Sequence, residues 1–302
     1  MGWKEYIRHP LQIARPLARR GLMNWVPDKL YLKLMYTVIT GNKLNLSNPK
    51  TFNEKIQWLK LHDRKPEYTA MVDKYEAKRY VEGILGEGHI IPTLGVWDRF
   101  EDIDFDALPN QFVLKCTHDS GGLVICRDKK LLDKDVARKK IERSLKRNYF
   151  WHGREWPYKD VKPRILAEAY MEDGHGTGLR DYKFFCFNGE PKLIYVSEGL
   201  EHHPTASISF LTMDWEFAPF GRSDYKGFAT LPQKPELYEQ MLQMARTLAG
   251  DMPFVRVDLY EIEGEIYFSE LTFSPCGGML PFEPRSWDAT IGEWIDLPAK
   301  KK

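Results

Sequence analysis

The chain has 302 residues, of which 43% are hydrophobic, 13% aromatic and 29% charged; these are the proportions of a folded globular protein and exclude a disordered or fibrous chain. Its 44 basic and 43 acidic residues leave a formal charge of +1, so no global field points to nucleic acid. No run approaches the roughly 18 uninterrupted apolar residues of a membrane span, and the first twenty residues lack the apolar core of a signal peptide.

Those first residues carry a local bias. Lys4, Arg8, Arg15, Arg19 and Arg20 are opposed only by Glu5 and are interleaved with Trp3, Tyr6, Ile7, Leu11, Ile13 and Leu17. Such a segment either lies on an anionic membrane or glycan, or packs as a helix with a solvated basic face. Up to about residue 70 the pattern is helical. "DKLYLKLMYTVITG" and "TFNEKIQWLKLHD" are amphipathic, with Thr51 or Asn53 as the candidate cap of the second. "MVDKYEAKRYVEGILGEG" predicts a helix ending near Gly86 and Gly88, followed by a short strand and a proline-containing connection. In "FEDIDFD", Phe100, Ile103 and Phe105 mark an acidic loop pinned to the body.

"QFVLKCTHDSGGLVICRD" reads as strand, glycine loop, strand, and "KKLLDKDVARKKIERSLKRNYFWHG" as one strongly charged helix with a wet face. After Pro163 come the strand-like runs "RILAEAYM", "DYKFFCFNG", "PKLIYVSEG" and "ASISFLTM", the helix "PELYEQMLQMARTLAG", and a hairpin, "FVRVDLYEIEGEIYFSELTF". Helices first and strands later predict an α+β architecture of two or more lobes, with a ligand cleft between them. Cys116, Cys126, Cys186 and Cys276 are far apart and mostly in apolar runs, as buried small hydrophobes in a reducing cytoplasm would be.

Strand alternation in the hairpin puts Arg256 and Asp258 on one face and Val255 and Val257 on the other, and on the second strand sets Ile266, Phe268 and Glu270 together. A carboxylate among such neighbours needs compensation. An ion pair with Arg256 would supply it, and so would a hard divalent cation held by one or two carboxylates plus phosphate oxygens. Lys115, directly before the glycine loop, could offer a positive charge to a phosphate or simply need a partner. Glu168 interrupts an apolar strand and could equally be a buried ion-pair partner. His152 and Arg154, and His202 and His203, are either surface-loop residues or contacts to an acidic substrate, and no His/Cys spacing predicts zinc.

Taken in order, these pieces resemble the ATP-grasp superfamily, most closely its TupA-like branch associated with bacterial surface-polysaccharide synthesis, from "TFNEKIQWLK" to "SPCGGMLPF". The resemblance implies an ATP-grasp-like fold: a helical segment over 1–70, a pre-lid lobe over 71–110, a lid lobe over 111–170 and a catalytic lobe over 171–302. It implies that Lys74 and Lys115 lie near the phosphates, that Ser120, Gly121 and Gly122 belong to a mobile lid, and that Glu168 and the backbones of Ala169 and Met171 meet the adenine. Asp181 and Lys183 would line the nucleotide cleft, Asp258 and Glu270 would bind Mg²⁺, and Arg256 would steady the acyl group. Thr272 stands where many relatives carry asparagine, a shorter oxygen ligand for a second metal. The implied activity is ATP-dependent ligation of a uronic-acid carboxylate to a small amine, by a cytoplasmic protein with peripheral membrane contact through its N-terminus and no nucleic-acid partner. A glycosyltransferase and a non-catalytic saccharide-binding module are the rival readings.

Overall fold

The computed structural model describes residues 10–173, 178–200 and 206–299. Of the N-terminal basic residues, Lys4 and Arg8 lie outside this range, as do His202 and His203. Two amphipathic helices, Asp28–Thr40 and Phe52–His62, dominate the N-terminal part. The first buries Tyr31, Leu32, Met35, Tyr36 and Val38 on one stripe and ends at Gly41, whose φ of 78° needs a residue without a Cβ. The second starts on a capping box: Thr51 accepts from the Glu54 N–H while the Glu54 carboxylate turns back to the Thr51 N–H. Asn53 is no cap. It is buried, donating to the Leu280 carbonyl at 2.9 Å and accepting the Leu280 N–H at 2.8 Å.

A five-stranded antiparallel sheet is built from β5 (Asp181–Phe187), β6 (Glu190–Glu198), β7 (Ser207–Leu211), β9 (Phe254–Ile262) and β10 (Glu265–Thr272), in the order β10-β9-β5-β6-β7. A four-stranded antiparallel sheet orders β1 (Thr93–Trp97), β4 (Ile165–Ala169), β2 (Phe112–Cys116) and β3 (Leu123–Cys126) as β1-β4-β2-β3. Two short strands, β8 (Gly221–Arg222) and β11 (Phe282–Glu283), pair separately. The chain therefore adopts a mixed fold of helices and antiparallel sheets, as an ATP-grasp-like α+β protein requires.

Alternation decides what each sheet face meets. On the large sheet, Tyr182, Phe184, Val255, Val257 and Leu259 share a core with Met241, Ala245 and Leu248 of the helix Tyr238–Ala249. The opposite face is divided. At one end Phe185, Phe187 and Phe254 pack against Phe52 of the N-terminal helix, with Phe52 and Phe254 edge-on at 5.0 Å. Beyond them the same face carries Asp181, Lys183, Arg256 and Asp258. On the small sheet Phe112, Leu114, Ile165 and Ala167 pack beneath Ala137 and Ile141 of the helix Lys134–Leu145, together with Phe100, Ile103 and Phe105. Val113, Lys115, Leu123, Ile125 and Glu168 face the other way.

Two sequence expectations change here. The hairpin register slips between Phe268 and Glu270, so Glu270 does not share a face with Ile266 and Phe268. The extra residue passes the core role to Leu271 and turns Glu270 and Thr272 toward Arg256 and Asp258. The long charged helix is also broken. A 3₁₀ turn at Lys129–Leu131 precedes the helix proper, which begins on the Asp133 cap, and a separate short helix spans Phe150–Gly153.

Arg154 is not a substrate contact. It is 1% exposed, lies between the rings of Tyr31 and Trp151, each 4.5 Å away, and donates to the carbonyls of Met23, Asn24 and Val26. One guanidinium thus fastens the turn before the helix Asp28–Thr40 to the body of the protein. Replacing Arg154 with alanine should lower the unfolding free energy by about 3 kcal/mol or more, the scale for removing one partner from a buried charged network, as read by urea denaturation. A change within about 0.5 kcal/mol, typical of an innocuous surface substitution, would show the clamp to be redundant.

Candidate active site

The charged part of the large sheet is one continuous alternation of signs. Lys183 Nζ lies 2.9 Å from Asp181 and 3.1 Å from Asp258. Arg256 grips Asp258 through Nε at 2.7 Å and Nη2 at 2.5 Å, and Nη2 also reaches Glu270 at 2.9 Å and Thr272 at 3.0 Å. The Thr272 hydroxyl in turn donates to Glu270 at 3.0 Å. Strand register produces this, because Lys183 pairs with Asp258, Asp258 with Glu270 and Arg256 with Thr272 across neighbouring strands.

Burial and pairing pull the titrations apart. Asp258 is 0% exposed; burial pushes its carboxyl up to about 6, although Arg256 and Lys183 draw it the other way. For Glu270 burial is overcome by Arg256, Lys74 and Lys183, which hold its carboxyl down at about 2. Burial works against the Lys183 ammonium, but Asp181 and Asp258 keep it charged to higher pH than an ordinary lysine.

Between the two sheets lies a cavity of about 470 Å³. Val113, Leu123 and Ile125 give it an apolar wall, and Asp181 and Tyr260 close it on the large-sheet side. Lys115 and Glu168 line it, paired with each other at 2.5 Å. Glu168 is also bound at 2.5 Å by Lys78, a residue the sequence reading passed over in favour of Lys74. Burial alone would raise the Glu168 carboxyl, but the two lysines hold it below its ordinary value. Ala169 and Met171 line the same cavity. The Ala169 N–H is spent on the Pro92 carbonyl at 3.0 Å, whereas the backbone groups of Met171 make no hydrogen bond among the described residues.

Lys74 stands on the turn before the helix Glu76–Leu85, not on the helix itself, and its ammonium donates to the Asp119 carbonyl. Ser120, Gly121 and Gly122 line neither this cavity nor the next. Ser120 bonds the Tyr149 hydroxyl at 3.3 Å. A Cβ on Gly122 would fall 2.5 Å from Cys116 Sγ and 2.7 Å from Ser144 Oγ, so close packing demands that glycine.

A second cavity, of about 400 Å³, opens on the other side of the charged chain, with Arg256, Glu270 and Thr272 in its wall. Arg15 and Arg19 of the helix Ala14–Arg19 also line it, so two residues of the basic N-terminal segment face this cavity. So does Glu155, which the sequence reading missed beside Arg154. Glu155 is 6% exposed, and burial pushes its carboxyl up to about 7 although Lys60 opposes this.

The described residues contain no cluster of three or more His, Cys, Asp or Glu side chains able to hold a metal ion. Two carboxylates and a hydroxyl, Asp258, Glu270 and Thr272, are nonetheless the all-oxygen set that suits a hard cation taking its remaining ligands from phosphate and water. Arg256 occupies the space between the two carboxylates. No described helix is long and apolar enough to cross a membrane, and all four cysteines are free, with Cys276 alone exposed.

Because folding raises the Glu155 carboxyl from 4.5 to about 7, the folded state loses stability through this group as pH climbs across that window. Glu155→Gln carries no charge to bury. It should melt several degrees above wild type near pH 8, with the gap closing toward about pH 4.5, in thermal scans at matched ionic strength. Parallel melting curves would mean that Glu155 is already compensated.

The sequence pattern of the TupA-like ATPgrasp family matches residues 54–296. No curated protein matches the chain. Among solved structures, D-alanine–D-alanine ligase from Bacillus anthracis complexed with ATP is similar at 16% identity and a TM-score of 0.38, covering 68% of this chain and 54% of its own. The Helicobacter pylori D-alanine–D-alanine ligase gives 13% identity, a TM-score of 0.44 and coverages of 84% and 69%. The ATP-grasp ligase PsnB, complexed with minimal precursor, Mg and ADP, gives 12%, 0.39, 85% and 62%. The chain spans little more than half the length of the Bacillus anthracis enzyme. With the family pattern matched over most of its length, the chain belongs to the TupA-like ATP-grasp family.

Proposed function

We propose that the protein is an ADP-forming, ATP-dependent carboxylate–amine ligase that makes an amide on a uronic-acid carboxylate of a bacterial surface polysaccharide or its precursor. The observation that carries this reading is the chain Asp181–Lys183–Asp258–Arg256–Glu270, which starts at one cavity and ends at the other. A reaction between a nucleotide and a second substrate needs two pockets meeting at a strongly charged seam.

In this reading the adenine lies against the apolar wall of the cavity between the sheets, with the free backbone groups of Met171 at its edge. Lys115 and Lys74 turn from their present partners to the phosphates. Asp258 and Glu270, with Thr272 beside them, would hold Mg²⁺, which would supply positive charge against the phosphates. A carboxylate oxygen of the uronate attacks the γ-phosphorus and ADP leaves; the amine nitrogen then attacks the acyl carbon, inorganic phosphate leaves, and the nitrogen gives up a proton. Lys183 keeps the carboxylates of the seam ionised, and Arg256 stabilises the oxyanion formed as the amine adds. Arg15 and Arg19 draw the anionic acceptor toward the second cavity. Exposed Leu11, Ile13, Leu22 and Trp25 near these arginines support contact with the inner face of a membrane.

Given ATP, Mg²⁺, a uronate oligosaccharide and a panel of primary amines, the protein should release ADP and phosphate and form an amide visible by mass spectrometry. Glu270→Gln should lower this rate by about a hundredfold or more, the usual effect of removing one group that stabilises transferring charge. Lys115→Ala should weaken binding of a nonhydrolysable ATP analogue in calorimetry. A new glycosidic bond in the product, or a fully active Glu270→Gln variant, would reject the ligase.

A further inference from the structure

The second cavity contains a charged group that the ligase reading has not used. Glu155 is buried and lines the cavity together with Arg256 and Glu270, and its carboxylate feels Lys60 and Glu270 through space with no hydrogen-bond partner among the described residues. The nearest compensating charge is Lys60, but the Lys60 ammonium is fully engaged elsewhere. It donates to Gln57 Oε1 at 3.1 Å, to the Gly153 carbonyl at 2.9 Å and to the Gly277 carbonyl. Lys60 therefore lowers the electrostatic cost of the carboxylate without filling its lone pairs. The arginines do not fill them either, since Arg256 is committed to Asp258, Glu270 and Thr272.

A buried carboxylate with open lone pairs is costly unless a partner arrives, and the partner it suits is a compact donor of several charged hydrogen bonds. We infer that Glu155 is the binding group for the ammonium of the amine substrate, a primary amine seated in the second cavity beside Arg256, Glu270 and Thr272, and that its carboxylate takes one ammonium proton so that the neutral nitrogen, its lone pair freed, is what attacks the acyl carbon. This rests on the ligase reading and assigns the site that the reading leaves open. Three features support a primary ammonium. The carboxylate is flanked by Gly153 and Gly277, whose Cβ positions would lie 2.9 Å and 4.0 Å from Glu155 Oε1, so neither carries a side chain that would crowd a compact cation there. An ammonium offers three donors, matching a carboxylate with no other partner. Charge-assisted bonds are also about twice as strong as neutral ones, which favours the cation over a saccharide hydroxyl.

The test uses ethanolamine hydrochloride as probe, titrated calorimetrically into the full chain at constant ionic strength, with ethylene glycol as the uncharged control. Wild type should bind ethanolamine and not ethylene glycol. Glu155→Gln should weaken ethanolamine binding by about tenfold or more, and Glu155→Asp, which keeps the charge on a shorter arm, should recover part of it. Absence of ethanolamine binding in wild type, or equal affinity in Glu155→Gln, overturns the assignment. A parallel assay separates this from the ligase itself. Hydroxylamine, uncharged at neutral pH, traps an acyl phosphate as a hydroxamate, so a uronate-dependent hydroxamate without ethanolamine binding keeps the ligase and rejects the amine pocket. Ethanolamine binding that Glu155→Gln abolishes, without any hydroxamate, keeps the pocket and rejects the ligase.

Discussion

Five charged side chains on three adjacent strands share one seam, Asp181, Lys183 and Asp258 buried and Arg256 and Glu270 partly so, and the surrounding fold has to make that seam tolerable. Isolated, any one of them would be too costly to bury. Asp258 has no exposure at all, yet both of its oxygens are engaged by Arg256 and its second oxygen also by Lys183. Lys183 is likewise shared between Asp181 and Asp258. The signs alternate along the seam, so each charge meets opposite charges first. Removing an interior member would leave like-charged neighbours facing each other in a poorly screened environment. Such a seam contributes less to stability than to position: it fixes five side chains that could otherwise adopt many rotamers.

The sheet face explains where the seam stops. Along β5 and β9 the residues on this face change from charged to aromatic: Asp181 and Lys183 give way to Phe185 and Phe187, and Arg256 follows Phe254. The aromatic half is covered by Phe52 and its neighbours from the N-terminal helix. The helices before residue 70 are thus part of the same hydrophobic core as the large sheet, and Arg15 and Arg19 reach the second cavity because that core holds their helix in place. Arg154 adds a polar fastening on the other side of the same helices.

Much of this was legible in sequence because it depends on short-range alternation. The strands, the helix Tyr238–Ala249 and the placement of Arg256 and Asp258 on one face follow from period-two and period-3.6 patterns. What was not legible depends on events that alternation cannot encode. The slip between Phe268 and Glu270 is invisible in "EIYFSELTF", yet it alone turns Glu270 into the site. Lys74 and Lys78 lie on the same charged stretch, and only the docking of the helix Glu76–Leu85 decides that Lys78 reaches Glu168. Gly122 looks like a phosphate-loop glycine until the helix Lys134–Leu145 brings Ser144 against it. Arg154 and Glu155 are adjacent in an unpatterned segment, and long-range packing makes one a fastener and leaves the other facing the cavity.

The position of Arg256 connects the charged seam to the proposed chemistry. Its guanidinium lies between Asp258 and Glu270, where a cation is needed to keep two neighbouring carboxylates ionised. In the proposed reaction Asp258 and Glu270 would hold a divalent cation, which would supply positive charge to the phosphates, and Arg256 would stabilise the developing oxyanion. Glu270 forms the open end of the seam, with its side chain 38% accessible, while Asp258 lies buried between Lys183 and Arg256. Arg256 would therefore serve two purposes from a single β-strand position: it keeps the carboxylate pair ionised and, in the proposed reaction, it faces the oxyanion.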